Sequence, residues 1–145
     1  MMVKKNGFTL LELLISLFII SIITGIGFAY FSSNKANLKK DTRILYNYLQ
    51  FMRLKAIQIK SRTYIQFNIS NKNYSLYYDN GTIIKTVNLS QNVQFSSVSF
   101  GATNPPKAYF YPDGSCSPSG SIVLKDNNNN TYQITINLAG NISVQ

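Results

Sequence analysis

The chain reads as an α+β protein, one long N-terminal helix packed on an antiparallel β domain, and three observations predict this class. Residues 8–31 form a nearly uninterrupted apolar run, FTLLELLISLFIISIITGIGFAYF. Beyond it, apolar residues recur at steps of three and four as far as residue 60. After Lys60 the period drops to two, and turn-forming residues separate the segments.

The apolar run is about 24 residues, or roughly 36 Å as a helix, long enough to cross a hydrocarbon core. Its one charged residue is Glu12, and a short tail with Lys4 and Lys5 precedes it. A secretory signal peptide has a basic start, an apolar core and a small-residue exit, here near Gly27-Phe28-Ala29. A plain single-span anchor needs only the apolar length. Glu12 argues against both, because a carboxylate at mid-bilayer costs about 2.5–3.5 kcal/mol on insertion scales. An acid inside a span marks a functional site and calls for a partner.

The second half of the helix follows from one apolar stripe, Leu38, Leu45, Leu49, Met52, Ala56 and Ile59, widened by Ile44, Tyr48, Phe51 and Lys55. Its role is packing against a sheet. If unbroken, the helix over residues 8–60 extends roughly 80 Å, and Gly25 and Gly27 are where a bend is expected. In residues 63–69, Ile65, Phe67 and Ile69 share one face of a strand, and residues 74–78 make a second after the Asn71-Lys72-Asn73 turn. Asp79-Asn80-Gly81 is a tight-hairpin signal leading into residues 82–89. Further strands are expected at residues 93–100, 107–111, 121–125, 131–138 and 142–144, with loops at 101–106, 112–118 and 127–130. That makes seven or eight strands.

At 145 residues there is room for one modest domain beyond the apolar segment. The formal charge is +9, from 14 Lys and Arg against 5 Asp and Glu. This surplus favours anionic partners without choosing among them, and the cations are spread out as a solvated face, with no dense run. Cys116 is the only cysteine, so no intrachain disulfide forms. In its polar setting, Gly114–Pro118, it is a free thiol, an intermolecular link or a small buried apolar residue. There is no His, hence no usual base for a nucleophile. Asp79, Asp113 and Asp126 stand in turn contexts, and no metal-ligand cluster or phosphate loop is present. The expectation is a non-enzyme with neither cofactor nor metal.

Lys4-Lys5-Asn6-Gly7-Phe8-Thr9-Leu10-Leu11-Glu12-Leu13-Leu14 resembles the leader of type IV prepilins and type II secretion pseudopilins. The resemblance implies a leader over residues 1–7, cleaved between Gly7 and Phe8 at the cytoplasmic face by prepilin peptidase, which then methylates the amine of Phe8. It also implies a transmembrane segment over 8–31, an amphipathic continuation over 32–60 and a β-rich domain over 61–145. The protein is then a single-pass inner-membrane protein with an extracytoplasmic β domain. Glu12 becomes the assembly residue, paired with the new amine of a staggered neighbour, which offsets the cost of burying it. Its partners are other pilins or pseudopilins through the N-terminal helix, the peptidase and the inner-membrane assembly platform. Lys35, Lys39, Lys40 and Arg43, offset by Asp41, follow the span, so a mechanical charge count favours the opposite orientation.

Arg53 with Ala56-Ile57, Phe110-Tyr111-Pro112-Asp113-Gly114 and Ala139-Gly140-Asn141-Ile142 resemble segments of the GspH/FimT group of minor pilins. The fold implied is pilin-like, and the function is that of a minor subunit of a secretion pseudopilus or type IV pilus, in a tip or initiation role. The alternative is a DNA-binding minor pilin for DNA uptake. Members thought to bind DNA use basic residues near the C-terminus, and residues 140–145 have none. Lys72, Lys85, Lys107 and Lys125, with nearby tyrosines, are the remaining phosphate-contact candidates.

Overall fold

A computed structural model describes residues 10–145, with side chains described over residues 10–24 and 35–145. Among the described residues the one helix, α1, runs Leu10–Ile59. The chain divides into two compact units, Met1–Ser33 and Asn34–Gln145, and α1 contributes to both.

In the first unit every described large apolar side chain, from Leu10 to Ile23, lies on the surface, 47–79% exposed. The hydroxyls of Ser16, Ser21 and Thr24 turn back onto the carbonyls of Glu12, Phe18 and Ile20, so each polar group is satisfied inside the helix. Among the described residues no helix is long and apolar enough to cross a membrane. The expected span runs on into residues whose side chains are not described, and residues 10–24 alone fall short of the ~20 that a span takes. The bend expected at Gly25 and Gly27 lies there too, and the leader lies outside the described residues.

In the second unit Leu38, Leu45, Leu49, Met52 and Ala56 are fully buried, as their spacing predicts. Two members of the expected stripe are exposed instead. Phe51 (44% exposed) sits about 100° around the helix from Met52, and Ile59 (36%) is the last helical residue. The helix stops at Lys60, which takes a left-handed φ of 52°. Its N–H bonds to the Ile57 carbonyl and that of Ser61 to the Ala56 carbonyl, the paired bonds of a Schellman ending with lysine where glycine is usual. The buried Thr63 hydroxyl donates to the Met52 carbonyl and draws the first strand back along the helix.

Nine strands follow: β1 (Thr63–Asn68), β2 (Asn73–Tyr78), β3 (Ile83–Asn88), β4 (Val93–Phe100), β5 (Lys107–Phe110), β6 (Cys116–Ser117), β7 (Gly120–Asp126), β8 (Thr131–Ile136) and β9 (Ile142–Val144). They form two antiparallel sheets, a five-stranded β3-β2-β1-β5-β6 and a four-stranded β4-β7-β8-β9. The strand not expected from sequence is β6, whose residues pair with Tyr109 and Phe110. Ile69, assigned to the first strand from alternation, falls in the following turn and is 45% exposed. The two sheets meet around Phe67 of β1. Its ring stacks on Phe100 at 5.7 Å and meets Phe95 edge-on at 5.9 Å, both from β4. Such geometry adds to the area these rings remove from water.

Candidate functional site

The three segments that resemble those of minor pilins converge on one side chain. Arg53, on the last turns of α1, donates through Nε to the Gly114 carbonyl at 2.9 Å and through Nη2 to the Ala139 carbonyl at 3.4 Å. Gly114 follows β5 and Gly140 precedes β9, with φ of +82° and +76°. A Cβ on Gly140 would stand 1.9 Å from the Gly114 carbonyl oxygen, so only glycine fits. One guanidinium thus ties the helix to a turn from each sheet. Its role is to hold the domain together.

A second tie was not legible. Asp41 looks like a simple offset to its basic neighbours in sequence, yet it is 6% exposed and turned inward. Its carboxylate accepts from the Ser90 amide at 2.7 Å and the Ser90 hydroxyl at 3.1 Å, while Asn37 donates to Asn92 two residues on. The other acids of this unit are also committed. Asp79 pairs with Arg62 at 2.7 Å, and Asp113 accepts from the amide and hydroxyl of Ser115, which hold its carboxyl below the usual range. Asp126, 1% exposed, accepts from Asn128 and Asn130. Lys35, Lys39, Lys40 and Arg43 are exposed on α1, and among the described residues none of them forms an ion pair.

Lys72, Lys85, Lys107 and Lys125 do not form one surface. Lys72 sits in the turn before β2, where its carbonyl accepts the Leu89 amide. Lys85 is opposite Leu76, on the helix side of the five-stranded sheet, with its ammonium 5.2 Å from the Tyr48 ring. Lys107 is opposite Gln66, on the other side of that sheet, with its ammonium 5.3 Å from the Tyr64 ring. Lys125 alternates with buried Leu124 and Asp126 on the four-stranded sheet. On the outer face of the five-stranded sheet Tyr64 stacks on Tyr77 (4.7 Å) and tilts against Tyr109 (5.3 Å), which Arg62 covers. The Tyr64 ring is thus engaged by two neighbouring rings and by the Lys107 ammonium.

Cys116 is buried in β6 and free, with its thiol pushed up to about 11 by burial and its Sγ 3.7 Å from the Pro118 carbonyl. Of the readings open in sequence, the small buried apolar residue is the one seen. Among the described residues no group of His, Cys, Asp or Glu could hold a metal ion. Glu12 lies in the first described turn of α1 and is exposed, while Gly7 and Phe8 lie outside the described residues.

Residues 2–28 match the prokaryotic N-terminal methylation motif. Residues 41–140, most of the chain, match the type II transport protein GspH. The chain belongs to the GspH family. Two solved structures agree with this at the level of fold. The minor pseudopilin EpsH from the type 2 secretion system of Vibrio cholerae superposes with a TM-score of 0.62 at 11% identity, over 75% of this chain and 96% of that one. The type IV minor pilin FimU of Pseudomonas aeruginosa PAO1 gives 0.61 at 15% identity, over 77% and 90%. Curated protein sequences give no match. This GspH-family chain is a minor pilin or pseudopilin of the GspH/FimT type, a structural subunit of a type II secretion or type IV pilus system rather than an enzyme. Pilin-like proteins of this kind are membrane-anchored by the N-terminal segment and assemble with other pilins.

Proposed function

We propose that prepilin peptidase cuts the chain between Gly7 and Phe8 and methylates Phe8. Until then the chain waits as a single-pass inner-membrane protein, leader inside and β domain outside. It then enters a pseudopilus or pilus in a tip or initiation role through the assembly platform. The observation that carries this reading is the methylation motif over residues 2–28, which includes Glu12 and covers the start of a helix whose described large apolar side chains, from Leu10 to Ile23, all lie on the surface. Removal of the leader leaves an ammonium on Phe8, and methylation keeps its charge. In a staggered array one subunit's amine reaches the next subunit's Glu12. That pairing offsets the ~2.5–3.5 kcal/mol of placing a carboxylate in apolar surroundings and sets the axial register.

The test is Glu12→Leu in the cell that makes the filament. The variant is expected to be processed and inserted like the parent, with Phe8 first by mass spectrometry, yet to be missing from sheared filaments. Normal incorporation would remove the pairing role. A mature chain beginning at Met1 or Tyr30 would overturn the processing scheme.

A further inference from the structure

The second unit carries a hollow that its own fold does not fill. It lies where α1 passes the β8–β9 end of the four-stranded sheet, holds about 230 Å³, and is lined by Lys39, Thr42, Arg43, Tyr46, Tyr132 and Val144. A small-molecule site usually takes roughly 300–1,000 Å³, so this one is sized for a side chain rather than a cofactor. Two of its hydroxyls are already engaged. The Thr42 hydroxyl is spent on the Leu38 carbonyl, and the Tyr46 hydroxyl accepts from Gln50. Besides the two cations, that leaves a largely apolar lining of Thr42, the two tyrosine rings and Val144, itself 44% exposed.

The rim has the opposite character. Lys39 and Arg43 stand one helical turn apart and also line a second, more open hollow with Lys40 and Ile44. Lys35 extends the row by another turn, about 12 Å in all from Lys35 to Arg43. The nearest acid along the helix, Asp41, is turned inward onto Ser90, so it does not neutralise this row. A complementary occupant therefore brings an apolar side chain and a negative charge together.

We propose that this hollow is a docking site for another polypeptide, which inserts one apolar side chain between Tyr46 and Tyr132 and sets a neighbouring carboxylate on Lys39 and Arg43. The proposal rests on the reading that the chain assembles with other subunits, and it names a surface outside the N-terminal segment and the chemistry that surface selects. Aromatic rings and arginine around an apolar hollow are what interface anchors use, and opposed charges guide and orient the approach.

The experiment places a benzoylphenylalanine photocrosslinker at Val144 in the full chain, irradiates intact cells, and reads the adducts by mass spectrometry. The expected adduct is a peptide of a second pilin-like subunit with Asp or Glu within a turn of the crosslinked apolar residue. Lys39→Glu with Arg43→Glu is expected to lower its yield at least about tenfold, because like charges then meet. Both positions are exposed, so thermal unfolding should not change. Substituting that partner's acid by Lys should restore the yield. Adducts only to phospholipid, only to nucleic acid, or none at all would overturn the proposal. So would a yield indifferent to the charge reversal. Incorporation of the unmodified chain into filaments is scored in parallel. Incorporation without the adduct sinks the docking site alone, whereas failure of incorporation sinks the assembly reading, and the adduct then judges the docking site by itself.

Discussion

Gly140 and Gly81 both hold left-handed backbone, at φ +76° and +83°, but in different surroundings. A Cβ at Gly81 meets nothing within 4 Å, while one at Gly140 runs into the Gly114 carbonyl and Arg53. Gly81→Ala should therefore cost only about 1 kcal/mol of backbone strain, and Gly140→Ala roughly 3 kcal/mol or more. Denaturant titration of the two detergent-solubilised variants checks this, and equal costs would refute the close approach. Cys116 gives a pH test. Its thiol, raised to about 11 by burial, stays neutral in the folded chain while the unfolded chain ionises near 8.5. The unfolded state gains as pH rises, so this group's share of stability is whole below about pH 8.5 and is lost towards pH 11. Stability should fall more between pH 8 and pH 10 in the parent than in Cys116→Ala, by an amount on the order of 2 kcal/mol. Parallel slopes would mean that the thiol is not buried. The sequence resemblance already picked out Arg53, Gly114 and Gly140. It could not show that they meet, because two of the three partners at that junction are backbone carbonyls, which have no residue signature.

At the scale of elements, α1 was legible because a three-to-four repeat over many turns can arise in few other ways, and most strands were legible from period-two alternation. Alternation states that a strand has a buried face but not which sheet it joins, so the division into two sheets was hidden. A two-residue strand has no period, and β6 was missed for that reason. Asp41 was misjudged because charge counts take a side chain to be in water. Its link to Ser90 joins the start of the packed part of α1 to the chain just before β4. Asp41→Ala should cost roughly 1.5–3 kcal/mol, since it leaves the Ser90 amide unsatisfied. In a double-mutant cycle with Ser90→Ala, the combined loss in thermal unfolding should be clearly smaller than the sum of the two. Strict additivity would show that the pair does not couple.

For the whole molecule, sequence and structure inform on different halves of the problem. The leader motif and Glu12 speak through residue order and carry the functional reading, while the described coordinates bear on the β domain and on one face of the helix. In the second unit twelve Lys and Arg stand against four Asp, two of them turned inward, so the cations set the sign of its surface. The four lysines singled out as phosphate contacts show the limit of a linear reading, because residues of one type in one chain need not share a face. The Arg53 junction has a consequence in time. Arg53 is synthesised 61 residues before the Gly114 carbonyl and 86 before the Ala139 carbonyl that it holds. A growing polypeptide keeps this latch open until residue 139 has been made, and a product terminated before that point could never shut it.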